Sequence, residues 1–240
     1  MKTFTKIEII LTVLDIKKPI IKKPIIGGII VLVLGLLYPQ IVPAQGTIYL
    51  SSLTEPSIGS VSVGSDSWLA AEFFTGTSVG GYILNYVQLG MADATGNPSG
   101  FTVMLYGAGG MGGVSPGSNL GTLSGSSDPL TSVIGLYIPT AKLTLSPSTS
   151  YFIVLTAGTV VPNGAFEWSE STNPPHISSW GMGNGILQSN DGISAWSSTP
   201  YLGIAQFAVT ATAVPEPTVL SLLSICILVL CWRMMRPNTY

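Results

Sequence analysis

Eight of the nine basic residues in this 240-residue chain lie near its two ends, and each group abuts an uncharged, apolar block. Lys2, Lys6, Lys17, Lys18, Lys22 and Lys23 precede residues 25–37, a run of 13 apolar or glycine residues, and Arg233 and Arg236 follow the 15 uncharged residues 218–232. Only Lys142 lies between, against Glu55, Asp66, Glu72, Asp93, Asp128, Glu167, Glu170 and Asp191, so residues 45–214 carry a net charge of minus seven. The chain is thereby divided into two ends that address a membrane and a middle that must fold on its own with few charges. A middle with one base cannot neutralise a run of phosphates, so nucleic acid is not an expected partner. An anionic membrane face is excluded for the same reason.

The first block has the layout of a secretion signal: a lysine-rich stretch, a short apolar run, then Val42, Pro43 and Ala44 as a small-residue cleavage site before Gln45. Thirteen residues fall short of the roughly 20 that span a bilayer comfortably. Residues 1–44 are therefore expected to form a signal helix removed by signal peptidase between Ala44 and Gln45.

The second block has the opposite polarity. Val214, Pro215, Glu216 and Pro217 close the middle segment, the apolar run follows, and the arginines come last. Basic residues after an apolar segment stay on the cytoplasmic side, which leaves the preceding domain outside. The two prolines bar a helix from entering from upstream and make the motif an extended handle. This order of parts resembles the PEP-CTERM sorting signal of Gram-negative and related bacteria, with Thr218 where serine is common and Met234 and Met235 diluting the basic cluster. The resemblance covers residues 214–240. It implies a single transmembrane helix held transiently in the inner membrane, recognition by an exosortase, and transfer to the cell envelope or extracellular matrix.

Both cysteines, Cys226 and Cys231, lie in that tail, so the exported part has no thiol for a disulfide, a thiolate metal site or a nucleophile.

Between the ends the pattern is all β. Short runs rich in aromatic and β-branched residues recur between Gly, Pro, Ser and Asn clusters, at 47–53, 68–75, 82–89, 101–106, 133–138, 151–156, 166–168 and 201–211. Residues 101–106 (FTVMLY) and 151–156 (YFIVLT) are apolar on both faces, which predicts central strands of two packed sheets. One domain, residues 45–213, is expected, with a jelly-roll-like antiparallel β-sandwich fold. Residues 67–75, 81–89, 98–106, 120–125 and 143–155 are similar to the choice-of-anchor R domain, a bacterial surface domain joined to alternative C-terminal anchors. That resemblance implies location and fold, and no activity.

Catalytic strings occur without the context they need. Gly76-Thr77-Ser78-Val79-Gly80 and Gly113-Val114-Ser115-Pro116-Gly117 match a nucleophile elbow, but that motif requires a strand entering a helix, and the chain has one histidine, His176. Gly107-Ala108-Gly109-Gly110-Met111-Gly112 fits a dinucleotide fingerprint, yet Gly113, Pro116 and Gly117 follow where a helix should start. A loop between strands is the better expectation there. His176 in a proline-rich turn cannot build a histidine metal site alone. No cofactor is expected; calcium stays open as an alternative, through Asp191 in the Asn190-Asp191-Gly192 turn and further loop oxygens.

Trp168, Trp180, Trp196 and Tyr201 fall where the strand pattern is weakest. Loop aromatics beside amides and carboxylates can stack on sugar rings, so these four are candidate glycan contacts; the competing expectation is that they fill a small core. Three function classes follow, in this order. The first is a structural or adhesive matrix protein associated with exopolysaccharide or biofilm. The second is a carbohydrate- or ice-binding module, and the third a glycosidase-like enzyme using two of the acids, for which no spacing selects a pair.

Overall fold

The computed structural model describes residues 46–125, 128–193, 195–198 and 203–215. The expected signal helix and membrane helix, with Ala44, Gln45, Glu216, Pro217, Arg233 and Arg236, lie outside the described residues, as does Tyr201. Among the described residues no helix is long and apolar enough to cross a membrane.

The described chain is all β, and every strand pairing in it is antiparallel. In chain order the strands are β1 (Thr47–Ser51), β2 (Gly59–Val63), β3 (Trp68–Phe74), β4 (Tyr82–Gly96), β5 (Thr102–Gly109), β6 (Ser115–Gly125), β7 (Val133–Pro139), β8 (Thr144–Leu145) and β9 (Ser150–Thr156). They continue with β10 (Gly164–Ser171), β11 (Ile177–Ser178), β12 (Gly181–Met182), β13 (Leu187–Ser189), β14 (Ser197–Ser198), β15 (Ile204–Ala205) and β16 (Phe207–Ala213).

β4 organises the sheet because it is long enough, at 15 residues, to take two partners in succession along one edge. Residues 82–89 pair with β16 and residues 91–96 with β10, while β7 occupies the opposite edge. From β4 one arm runs through β16 to β1 and through β10 to β2, and the other runs β7, β6, β5, β9, β3. Alternate residues of both arms meet in one apolar cluster: Leu50, Val61, Phe166, Trp168, Phe207 and Val209 from the first, Leu69, Phe73, Val103, Leu105, Ile153 and Leu155 from the second. Burying that cluster is the main drive for the sheet to fold over on itself.

The strands at 101–106 and 151–156 are indeed apolar on both faces, and the second face has its own cover. Ala70, Met104, Tyr106, Phe152 and Val154 form a separate cluster on the outer side of β3, β9 and β5, against which Trp68, Leu187 and Trp196 pack. The excursion after β12, not another large sheet, supplies that covering layer.

Besides the two- and three-residue strands β8 and β11 to β14, two longer strands were not legible as such. β2 is short and serine-rich, and β6 runs through a Pro-Gly-Ser-Asn stretch that reads as loop. Pro116 is accommodated in β6 beside register irregularities opposite β5. The Gly107–Gly112 stretch expected as loop is divided: Gly107 and Gly109 belong to β5, and a single 3₁₀ turn, Met111–Gly113, leads into β6.

The two chain exits lie side by side. β1 and β16 pair with Thr47 opposite Ala211, and the Val214 amide donates to the Gly81 carbonyl at 3.0 Å. Gly81 has φ +71, and a Cβ there would stand 2.5 Å from the Leu145 carbonyl oxygen, so this corner requires glycine. Pro215, the last described residue, is exposed.

Candidate functional site

Trp168 lies in the middle of β10, and the even-numbered side chains of that strand face the core. It is 0% exposed and its Nε1 donates to the Gln206 carbonyl at 3.1 Å. Trp180 is 3% exposed, with its ring stacked between Tyr49 (4.7 Å, 12°) and Phe73 (5.9 Å, 3°) and the Tyr82 ring meeting its edge at 4.8 Å. Its amide donates to the Tyr49 carbonyl, which draws the irregular segment after β11 against β1. These two rings are core, as the competing expectation had it, and the glycan-stacking expectation is corrected for them: neither offers a face to solvent. The physical cause is the inward phase of β10 for Trp168, and for Trp180 the ring packing against Tyr49, Phe73 and Tyr82. Trp196 is half-buried against the outer cluster. Four open clefts of about 380, 360, 190 and 290 Å³ mark the surface, and no tryptophan lines any of them.

The acids are placed one by one, as fasteners. Ser60 and Ser62 of β2 donate to the two carboxylate oxygens of Glu167 at 2.9 and 2.7 Å, matching the register of Glu167 opposite Ser62. Ser150 of β9 donates to Glu72 of β3 at 2.8 Å. Asp66 accepts from the Val161 amide (2.8 Å), Asp93 from Ser132 (2.7 Å) and Asp128 from Phe101 (3.2 Å), each joining segments far apart in sequence. Asp191 accepts from Ser189 Oγ and the Ile193 amide, which closes the expected turn, and Gly192 there has φ +69. His176 is exposed. Among the described residues no three His, Cys, Asp or Glu side chains converge as a metal site would need.

Four buried polar atoms depart from this pattern of satisfied partners, Tyr137 Oη, Glu170 Oε2, Trp180 Nε1 and Thr210 Oγ1, and the first two belong to titratable groups. Tyr137 Oη has no hydrogen-bond partner, and burial, with Asp128 as a smaller contribution, pushes its pKa up to about 12. Glu170 Oε2 is likewise buried without a partner, and burial raises its carboxyl above the ordinary glutamate value. Sequence reading singled out neither; the available signal was an acid at an inward-facing position of β10, visible only once the strand's phase is known.

Of the sorting motif, Val214 and Pro215 are described. Val214 is fastened to the domain through its amide on the Gly81 carbonyl, and Pro215 beside it is exposed. The two elbow strings form loops and hairpin: Ser78 donates its amide to Tyr82 Oη, and Ser115 opens β6. Neither precedes a helix.

No family model, no curated protein and no solved structure matches the chain.

Proposed function

We propose that this chain is an exported, exosortase-processed surface protein with a structural or adhesive role in the extracellular matrix. On this reading the folded part is a jelly-roll-like β-sandwich, released from its signal peptide at Gln45 and handed on through Val214, Pro215, Glu216 and Pro217. The observation that supports it is at Val214 and Pro215: the Val214 amide is tied to the Gly81 carbonyl, and Pro215, the second residue of the motif, is exposed where an enzyme can reach it. The pairing of β1 with β16, Thr47 opposite Ala211, adds to this by bringing the two ends of the described chain together. The apolar segment and terminal arginines act as a temporary inner-membrane anchor.

A non-enzymatic role is supported by the use of the acids. Six of the eight in the exported segment accept hydrogen bonds from residues of neighbouring segments or turns, and a catalytic pair would need carboxylates free to meet substrate. The proposed partners are exosortase and signal peptidase during export and extracellular polysaccharide afterwards, with no cofactor.

The test is the double substitution Glu216→Ala and Pro217→Ala in the producing organism. The variant is expected to be exported yet retained at the inner membrane, because the apolar segment and arginines persist while the handle is lost. Normal appearance on the outer surface or in the medium would refute the sorting reading.

A further inference from the structure

Glu170 stands near the end of β10, where the strand has left β4 and instead pairs Glu170 with Ala205 of β15, while Gly59 of β2 lies opposite on the other edge. It faces the same side as Trp168, is 6% exposed, and its Oε2 has no partner. Glycines flank the carboxyl on both sides. A Cβ on Gly59 would stand 3.2 Å from Glu170 Oε1, and one on Gly203 would stand 2.3 Å from Oε2. The carboxyl is therefore wedged between the start of β2 and the approach to β15, in a space any larger neighbour would close.

No opposite charge compensates it. β2 and residues 203–205 contribute no titratable side chain, and neither base among the described residues, Lys142 or His176, pairs with it. Glu167 of the same strand points to the other face and is held by Ser60 and Ser62. Glu55, in the loop before β2, is tied there through its backbone carbonyl, which accepts from Gln206 Nε2. With Oε2 shut off from water and no positive partner, the ionised carboxylate loses hydration there, so the charged form is disfavoured relative to the neutral acid.

We propose that Glu170 is a pH-operated fastener: protonated, it lets β2 and the chain at 203–206 close onto the end of β10, and on ionising it opens that corner to water. The fastened corner is reported by two backbone hydrogen bonds, Ile58 N–H to the Glu170 carbonyl at 2.9 Å and Gln206 N–H to the Ser169 carbonyl at 2.8 Å. Val214 lies nine positions after Ala205, across the break at Gln206 and the whole of β16, so the corner is at the far end of β16 from Val214, a contour of at most roughly 30 Å. Opening there leaves the anchored end intact.

The sign follows from linkage. Burial raises the carboxyl's pKa in the closed form, so closure is favoured in acid and weakens as pH rises above the ordinary glutamate value, levelling off beyond the raised one. One proton is released on opening, so the opening constant climbs by up to about tenfold per pH unit in that interval. The experiment is amide hydrogen exchange on the full-length chain in detergent from pH 4 to 8, corrected for intrinsic exchange. Ile58 and Gln206 are expected to lose protection as pH rises while Leu105 and Ile153, in β5 and β9, do not. Glu170→Gln should abolish the pH dependence and Glu167→Gln should keep it. A flat wild-type profile at Ile58 and Gln206, or the same slope in Glu170→Gln, overturns the proposal. If the glutamine variant does not fold, the wild-type contrast between the corner and the core amides decides alone.

Discussion

Trp168 and Trp180 are both core rings, yet their indole N–H groups differ, and the same substitution should therefore cost different amounts. Trp168→Phe deletes a hydrogen bond to the Gln206 carbonyl and leaves a void in the centre of the main cluster. The carbonyl keeps one donor, the Gly90 amide at 2.9 Å, so it is not orphaned. The lost hydrogen bond contributes about 1 kcal/mol, and the unfilled ring volume roughly 1–2 kcal/mol more. Trp180→Phe opens a similar void but removes an Nε1 that is buried with no partner. Deleting such a group returns roughly 1–3 kcal/mol of desolvation cost, which offsets most of the cavity penalty. Phe also preserves the stack between Tyr49 and Phe73. Trp168→Phe is thus expected to destabilise by roughly 2–3 kcal/mol and Trp180→Phe by about 1 kcal/mol or less. Urea denaturation followed by far-UV circular dichroism measures both, provided the slope with denaturant is unchanged. Equal losses would refute the argument from the indole partners.

Gly81→Ala should destabilise by roughly 1–3 kcal/mol, from a strained positive φ and a collision with the Leu145 carbonyl, read as a fall in thermal midpoint; Gly185→Ala, at φ +89 with open space around it, isolates the strain alone. Tyr137→Phe should be neutral or slightly stabilising, since it removes a buried hydroxyl without a partner, and equilibrium unfolding checks this. In the wild type the Tyr137 phenol should ionise only near pH 12, with its contribution to stability fully present below the ordinary tyrosine value and lost as pH rises through the raised one; absorbance at 295 nm against Tyr137→Phe follows it.

The sequence by itself determined what depends on composition and local pattern. The confinement of bases and apolar blocks to the ends, the absence of thiols from the middle, and the β-pattern at 82–89, 101–106 and 151–156 are properties of neighbouring residues, and the last of these holds in the structure as strands, alternately buried at 82–89 and buried on both faces at 103–106 and 151–156. The turn at Asn190-Asp191-Gly192 was legible because its chemistry is local. Tertiary structure alone decided which aromatic is core. Trp168 and Trp196 look alike in sequence, but one falls on the inward phase of a central strand and the other on the outer face of the sheet. It likewise decided that β2, a stretch of Gly, Ser and Val with little propensity of its own, becomes a strand, because β10 presents an unpaired edge and Glu167 captures Ser60 and Ser62. The isolation of Glu170 is of the same kind: its cost arises from Gly59 and Gly203, 111 residues before it and 33 after, which only the folded sheet brings to one carboxyl.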